Sequence, residues 1–313
     1  MKMSVVTTIY CSAGVVEAFF DRAAEAADAI DVELELIFVN DGSPDDGLTV
    51  ARELQSRDPR IRVVDLSRNV GQHRAIWIGL RYATGDLVAI MDGDLDEDPL
   101  WLIEAQTLMQ AEKCDVVYGI QTTRRTSTFY RVARKAFYFA LAAITSTNVP
   151  HNVTTFRLMT RRFVEALMQY EEREIFLVGL LHASGFKQVA LNVPKRTESP
   201  TSYSLSKLIF VFITHITSFS IAPLIFIFLV GVAILIVAVL AVIALIIMRM
   251  TSEFPVPGWA STTAMVTLFS GLILSFQGII AIYIGTIFLE VKRRPLGIVR
   301  EIYETPERTS QAR

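Results

Sequence analysis

"LVAIMDGDLDEDP", residues 87–99, joins a strand pattern to a dense acidic cluster. The apolar run Leu87–Met91 is typical of a β-strand inside a sheet. Five carboxylates follow within positions 92–98, and they repel one another at neutral pH unless a cation joins them. Asp92 and Asp94 stand at the strand exit, where both carboxylates can be directed toward one point. Mg²⁺ and Mn²⁺ take oxygen ligands and commonly share carboxylates with substrate phosphates, so the sequence predicts a divalent-cation site here.

The last acids of the cluster have simpler explanations. Asp98 followed by Pro99 is typical of a helix N-cap with proline at the first helical position. Glu97 stands near the same helix start and is predicted to be solvated. The prediction of a metal site therefore depends on Asp92 and Asp94.

The first half of the chain alternates between strand patterns and helix patterns. Apolar runs rich in β-branched residues predict strands at Val5–Ile9, Leu34–Val39, Ile61–Leu66, Leu87–Met91 and Val116–Tyr118. Helical patterns lie between them, at Val15–Ile30, Gly47–Arg57, Ala75–Ala83 and Leu100–Ala111. This alternation predicts an α/β domain with a doubly wound, mainly parallel sheet. Ligands of such sheets collect outside the carboxyl ends of the strands, where "FVNDGS", "LSRN" and "IMDGD" occur.

Two uncharged apolar runs near the C-terminus predict a transmembrane hairpin. Ile221–Met248 and Thr267–Leu289 each exceed the roughly 20 residues that a helix needs to cross a bilayer. Basic residues flank the outer ends of the pair, and Trp259 in the connector suits a membrane interface. The positive-inside rule then places both termini in the cytosol. The predicted segments are a cytosolic α/β domain at 1–200, an interfacial amphipathic helix at 201–220, two transmembrane helices at 221–290 and a cytosolic tail at 291–313.

Composition limits the function classes. The net charge of -2 over 313 residues excludes a generally basic surface that coats nucleic acid, so no nucleic-acid partner is predicted. Cys11 and Cys114 fit no metal-binding spacing. Reduced thiols are predicted, with a disulfide between the two left open.

Six motifs occur in a characteristic order: "VNDGSPDDG", "LSRNVGQHRAIWIGLRYATGD", "MDGDLDEDP", "DVVYG", "FRLMTRR" and "VPGWAS...EVKRRP". Over about Ser4–Val299 the chain resembles the family-2, GT-A-fold glycosyltransferases that act on polyprenyl phosphates, especially the bactoprenol glucosyltransferases and the related aminoarabinose and dolichyl-phosphate-mannose enzymes. The resemblance implies a GT-A catalytic domain, a Mg²⁺ or Mn²⁺ cofactor and a location in the inner (plasma) membrane. It implies inverting transfer of a sugar from a nucleotide-sugar donor, UDP-glucose or a related UDP-sugar, to a polyprenyl (undecaprenyl) phosphate.

The resemblance also implies roles for individual residues. Its nucleotide-binding positions fall on Thr8, Tyr10, Asp41, Arg68, Asn69 and Asp92. Its Asp-x-Asp (DXD) metal motif falls on Asp92 and Asp94, with Asp96 at a third position that is commonly glutamine. The implied catalytic residues are Asp94, Thr155 and Arg196, the last of which corresponds to an arginine that reaches the donor diphosphate or the lipid phosphate.

The chain departs from the family pattern at several positions. Many relatives carry an aspartate, a proposed catalytic base, where this chain has Thr155. A lipid phosphate has a second pKa of about 6 and is already largely a dianion at neutral pH, so Thr155 is predicted to orient it without a base. Ser199 and Ser202 stand where relatives carry a glycine and a lysine near the acceptor phosphate.

Two stretches suit a lipid substrate. "FYRVARKAFYFALAAITS", from Phe129, interleaves Arg131 and other basic residues with aromatics, as an interfacial helix would, although a core-facing helix fits equally well. "SLSKLIFVFITHITSFS", from Ser204, leads into the first predicted span. The residues predicted to contact the lipid phosphate are Arg131, Arg196 and Ser202. The membrane lipids are a further expected partner, and a homo-oligomer formed through the transmembrane helices is left open.

Other functions fit less well. A processive polysaccharide synthase normally shows a Gln-x-x-Arg-Trp signature, which this sequence lacks. A transporter would carry more spans with polar residues inside them. A catalytically retired membrane scaffold that only binds nucleotide sugar remains the alternative, because of Thr155.

Overall fold

The computed structural model describes residues 1–121, 153–170, 180–181, 184–194, 222–251 and 258–305. The chain divides into an α/β unit, which includes the C-terminal residues from Arg294, and a helical unit that ends at Arg293.

The strands of the α/β unit form one eight-stranded sheet. They are β1 (Lys2–Ile9), β2 (Glu33–Asn40), β3 (Ile61–Leu66), β4 (Leu87–Met91), β5 (Val116–Gln121), β6 (Val153–Thr160), β7 (Gln188–Val193) and β8 (Val299–Tyr303). Their order in the sheet is β7-β5-β6-β4-β1-β2-β3-β8. Strands β3, β2, β1 and β4 are parallel, whereas β6 is antiparallel to both β4 and β5, and β8 is antiparallel to β3. The predicted parallel core is confirmed, but the whole sheet is mixed.

Helices cover both faces of this sheet. They are α1 (Val16–Ala29), α2 (Gly47–Arg57), α3 (Gln72–Leu80), α4 (Trp101–Glu112) and α5 (Arg161–Leu167). Buried side chains of α1, α2 and α4 pack on one face, and those of α3 and α5 pack on the other. The strands supply both cores because successive side chains point to opposite faces: Phe38 lies in the first core, where it meets Phe19 edge to face, and Val39 lies in the second. The helices and strands predicted for the first half of the chain are confirmed, each boundary within three residues.

The helical unit contains two long helices, α6 (Ala222–Thr251) and α7 (Trp259–Lys292). They cover most of the two predicted spans. Among the described residues, Phe269–Lys292 is the one segment long and apolar enough to cross a membrane, with a mean hydropathy of 2.1. The two-helix transmembrane hairpin and its topology therefore stay predictions.

Three regions bear on the predictions made from the sequence. Strand β8 was not predicted, and it lies within the segment expected to be a C-terminal tail. Cys11 and Cys114 are free thiols, as predicted. The interfacial helix expected at 201–220 and the basic aromatic stretch at 129–146 lie outside the described residues.

Candidate active site

The polar loops predicted to form a site do meet at one edge of the sheet. In the parallel core, Ile9 pairs with Asn40, and Asn40 pairs with Asp65. On the other side of β1, Thr7 pairs with Met91. The carboxyl ends of β1, β2, β3 and β4 therefore lie side by side, and the loops that follow them start at the same edge of the sheet, where ligands of such sheets bind.

Asp41 ties the turn after β2 to the loop after β3. One of its carboxylate oxygens accepts the N–H of Val70 at 2.7 Å, and the other accepts the N–H of Gly71 at 3.0 Å. Gly42 has φ +62°, and a β-carbon there would lie 2.6 Å from the backbone nitrogen of Asn69, so the approach of the two loops requires glycine. Burial raises the pKa of Asp41, which the two backbone hydrogen bonds oppose. Asp41 thus orders the loop after β3, a role that the sequence did not indicate.

The acidic loop passes directly over the end of β1. A β-carbon at residue 93 would lie 2.3 Å from the carbonyl oxygen of Thr8 and 2.9 Å from the side-chain oxygen of Thr7. Only glycine fits between Asp92 and Asp94 for this reason. The close approach fixes the backbone on which the two carboxylates stand, with Asp92 half-buried and Asp94 exposed.

The Asp92 carboxylate is held by two side chains. The amide of Gln72 donates to its Oδ1, and the hydroxyl of Thr155 donates to the same carboxyl group. Burial, followed by the negative charge of Glu97, raises the pKa of Asp92 to about 7; Asp94 adds to this shift, and the two hydrogen bonds oppose it. The surroundings of Asp92 therefore disfavour its ionised form. Thr155 reaches it because β6 runs antiparallel beside β4.

Glu97 is buried, so the prediction that it is solvated was wrong. It is 3% exposed, and its two oxygens accept the N–H groups of Asp92 and Phe156, both at 2.9 Å. Burial raises its pKa, and the backbone hydrogen bonds oppose that shift. The loop turns back on itself so that these two N–H groups replace water around the carboxylate. Glu97 thereby fastens the acidic loop to β6.

Arg157 places a buried cation behind these acids. It is fully buried, and its Nη1 donates to the carbonyl oxygens of Thr154 at 2.8 Å and Thr155 at 2.9 Å. Burial lowers its pKa to about 10, while the negative charges of Glu97 and Asp92 act to raise it. In the part of the chain that the structure describes, its Nε and Nη2 have no hydrogen-bond partner. An arginine inside the apolar strand "TFRLM" was the signal that could have identified this residue.

Asp98 anchors the start of α4, but the predicted cap is not the one observed. Its carboxylate accepts the N–H of Leu100 at 3.2 Å and pairs with Arg22 at 2.7 Å. The helix begins at Trp101, so Pro99 is not its first residue. Asp98 is occupied with these structural contacts.

Asp92 and Asp94 suit a divalent cation whose other ligands would be phosphate oxygens. Asp94 uses one carboxylate oxygen to accept the N–H of Asp96 at 3.0 Å. The described residues include no group of three histidine, cysteine, aspartate or glutamate side chains that could hold a metal, so Asp96 as a third ligand stays a prediction. Two carboxylates completed by phosphate oxygens are an ordinary Mg²⁺ arrangement. Burial and the neighbouring negative charges raise the pKa of Asp92, and a bound cation would offset both, so these carboxylate oxygens fit a cation.

The other predicted site residues fall into two groups. Four lie at this edge, namely the buried Thr8 and the exposed Tyr10, Arg68 and Asn69. Three lie outside the described residues, namely Arg131, Arg196 and Ser202. Contacts of all these residues with a nucleotide or a lipid phosphate stay predictions.

Comparison with known proteins identifies the family. Residues 4–168, more than half of the chain, match Glycosyl transferase family 2. The uncharacterized glycosyltransferase YkcC of Bacillus subtilis (strain 168) is 33% identical over 97% of this chain and 94% of its own length. The bactoprenol glucosyl transferase of Shigella phage SfII is 29% identical, with 96% and 98% covered. A solved mannosyltransferase, PcManGT from Pyrobaculum calidifontis in complex with GDP-Man and Mn²⁺, is 19% identical with a TM-score of 0.48, and the match covers 93% of this chain and 87% of that one. The two sequence matches to whole proteins and the family match agree: the chain belongs to glycosyltransferase family 2.

Proposed function

We propose that this glycosyltransferase moves a sugar from a UDP-sugar, UDP-glucose or a close relative, to a polyprenyl (undecaprenyl) phosphate at the cytosolic face of the membrane. The observation that carries the proposal is the Asp92–Asp94 loop, which crosses the end of β1 and contacts, through Asp92, the side chain of Gln72 just after the loop of Arg68 and Asn69. A diphosphate and its cation suit this edge of the sheet. The similarity to a bactoprenol glucosyl transferase along nearly the whole chain supports the lipid acceptor.

The reaction needs little proton transfer. An oxygen of the lipid phosphate forms a bond to the anomeric carbon while the bond from that carbon to the donor diphosphate breaks, and the electron pair leaves with the nucleoside diphosphate. Attack opposite the leaving group inverts the anomeric configuration and gives a lipid-linked monophosphate sugar. The acceptor is already largely a dianion at neutral pH, because its second pKa is about 6. Positioning the two reactants is then the main task of the protein.

The residues at the site divide this work. Asp92 and Asp94 would hold Mg²⁺ or Mn²⁺, which when bound relieves the negative charge that develops on the leaving diphosphate. Gln72 and Thr155 fix the Asp92 carboxylate, and Glu97 fixes the loop backbone. A threonine cannot act as a base near neutral pH, and the Thr155 hydroxyl donates its one proton to Asp92, so in this proposal Thr155 orients the Asp92 carboxylate.

The helical unit suits a substrate that resides in a bilayer. The candidate span Phe269–Lys292 exposes large apolar side chains, among them Leu274 and Phe288, which are 67% and 58% exposed. Lys292 ends this span, and Arg293 and Arg294 follow directly, as the positive-inside rule expects for a cytosolic end. We infer two spans with both termini cytosolic, so that donor and acceptor meet at the inner membrane surface.

Turnover by the purified full chain tests the proposal. The protein is incubated with radiolabelled UDP-glucose, undecaprenyl phosphate and Mn²⁺ or Mg²⁺, and label is followed into the lipid phase. Asp94→Asn should reduce transfer at least a hundredfold, since it removes a proposed ligand. Glu104→Gln, which removes an exposed acid on α4, should leave it unchanged. If UDP-, GDP- and dTDP-sugars all bind without transfer to the lipid, the chain is the nucleotide-sugar-binding scaffold instead.

A further inference from the structure

The C-terminal strand belongs to the α/β sheet although the chain reaches it only after the apolar helix α7. Strand β8 pairs antiparallel with β3, and the register shifts between Asp65 and Leu66. Just before β8, the carbonyl oxygen of Ile298 accepts the N–H of Ser67 at 2.8 Å. The end of the chain therefore contacts β3 at the point where the loop of Arg68 and Asn69 begins.

Arg300 donates hydrogen bonds to Asp65 and Ser67 at this point. Its Nη1 donates to the carboxylate of Asp65 at 3.3 Å, and its Nη2 donates to the carbonyl oxygen of Ser67 at 3.0 Å. The Asp65 side chain is 1% exposed, whereas that of Arg300 is 60% exposed. A surface arginine thus supplies the counter-charge of a buried carboxylate and also holds the backbone next to Arg68.

Asp65 connects Arg300 to the turn after β2. Its second oxygen accepts the side-chain N–H of Asn40 at 2.7 Å, in a buried hydrogen bond. The side-chain oxygen of Asn40 in turn accepts the N–H of Ser43 at 3.2 Å. Arg300, Asp65 and Asn40 therefore form a hydrogen-bonded chain that ends in the "NDGS" turn, which contains Asp41.

Packing connects the same two regions. A β-carbon at Gly297 would lie 3.1 Å from a methyl carbon of Val70 and 2.8 Å from the terminal carbon of Ile78, so the segment before β8 lies tightly against the loop after β3. Val70 is also one of the residues whose backbone Asp41 holds. The C-terminal segment therefore contacts both loops that are expected to bind the nucleotide.

We propose that the segment Gly297–Arg300 is a positioning element of the nucleotide site and that Arg300 is its positioning residue. Arg300 acts through Asp65, Asn40 and Ser67 and does not itself touch the donor. This inference rests on the proposed function, because it takes the two loops to be the nucleoside diphosphate site. It has a consequence for fragments of the protein: a chain that ends before the apolar helices lacks part of its donor site.

Nucleotide binding by the full chain tests the role of Arg300. UDP with Mn²⁺ is titrated calorimetrically into the detergent-solubilised protein and its variants. Arg300→Ala should weaken UDP binding about tenfold and raise the donor KM by a similar factor, with kcat within about twofold. Arg300→Lys should recover part of the loss because it keeps the charge beside Asp65. Arg52→Ala is the matched control, since Arg52 stacks on Tyr303 of the same strand, 4.4 Å from the ring centroid, at the end away from these loops.

Three results would contradict the proposed role of Arg300. Unchanged UDP binding by Arg300→Ala, beside normal binding by the unmodified protein, overturns the inference and leaves the proposed function intact. Equal weakening by Arg300→Ala and Arg52→Ala also overturns it, because general loosening of β8 would then explain the loss. If the unmodified protein binds none of UDP, GDP and dTDP, the proposed function fails and this inference fails with it.

Discussion

Replacement of Glu97 by alanine should destabilise the α/β unit, because its carboxylate accepts one buried and one half-buried backbone N–H. The N–H groups of Asp92 and Phe156 each lie 2.9 Å from a Glu97 oxygen, and both would lose their partner. An unsatisfied buried donor costs about 1–3 kcal/mol. Removal of a charge that burial disfavours offsets part of this loss. We therefore expect Glu97→Ala to lower the free energy of unfolding by about 3 kcal/mol.

Thermal unfolding of the full chain measures this effect. For a domain of about 150–250 residues, 1 kcal/mol changes the midpoint by about 2–4 °C, so Glu97→Ala should lower it by about 6–12 °C. Glu97→Gln keeps one oxygen acceptor and should lower it by less. Glu104→Ala removes an exposed acid from α4 and provides the control, with a change of no more than about 2 °C. If Glu97→Ala and Glu104→Ala unfold at the same temperature, Glu97 does not anchor the loop, and the prediction of a solvated side chain was right after all.

Four further perturbations test the site and the membrane topology. Mn²⁺ affinity should fall about tenfold per pH unit below about 7, because the cation requires the ionised form of Asp92 and burial raises the pKa of Asp92 to about 7. Equal Mn²⁺ affinities at pH 8 and pH 6 would contradict this. Gly93→Ala places a β-carbon 2.3 Å from a carbonyl oxygen of β1, so kcat/KM should fall at least about tenfold, and a normal value would show that the loop can shift freely. Thr155→Val should lower the transfer rate about ten- to a hundredfold, whereas a large gain in Thr155→Asp would show that the chain lacks a base it needs. In a background without the native cysteines, an impermeant maleimide added outside should label Ser261→Cys and not Ser310→Cys; the reverse pattern would overturn the topology.

The parallel core of the fold could be predicted because hydrophobic periodicity and the alternation of strands with helices act locally. Leu87–Met91 and Gly47–Arg57 were predicted with the boundaries that the structure shows. The direction of a strand is not encoded in that pattern, since an apolar run fits a parallel and an antiparallel position alike. Strands β6 and β7 were not predicted at all, and the antiparallel pairing of β6 was missed with them. Strand β8 was missed because five residues with mostly exposed side chains, Val299–Tyr303, carry little hydrophobic signal.

From the sequence, only those site residues that directly follow the end of a strand could be predicted. Asp92 and Asp94 were predicted as site residues because acids that follow a buried strand have few structural roles. The inward turn of Glu97 depends on a hydrogen bond to Phe156, 59 positions away in the chain. The contact of Arg300 with Asp65 spans 235 positions. Single-sequence reasoning has no access to pairings of this length, although a carboxylate inside the apolar strand "IRVVDL" does signal that a partner must exist.

The energetics of the acidic loop favour a role in binding over a role in folding. When an acid has a higher pKa in the folded state than in the unfolded chain, the protein loses stability as the pH rises between the two pKa values. The lower limit is the pKa in the unfolded chain, about 4 for aspartate. For Asp92 that window ends at about 7, so near neutral pH the loop lowers the stability of the α/β unit. Arg157, whose pKa is about 10, stays cationic near neutral pH and attracts Glu97 and Asp92, but its own burial disfavours its charge and adds a further cost. Local arrangements that cost stability are expected at functional sites, where a ligand removes the cost. A divalent cation between Asp92 and Asp94 would do so, and it should stabilise the folded protein under the same conditions in which it supports sugar transfer.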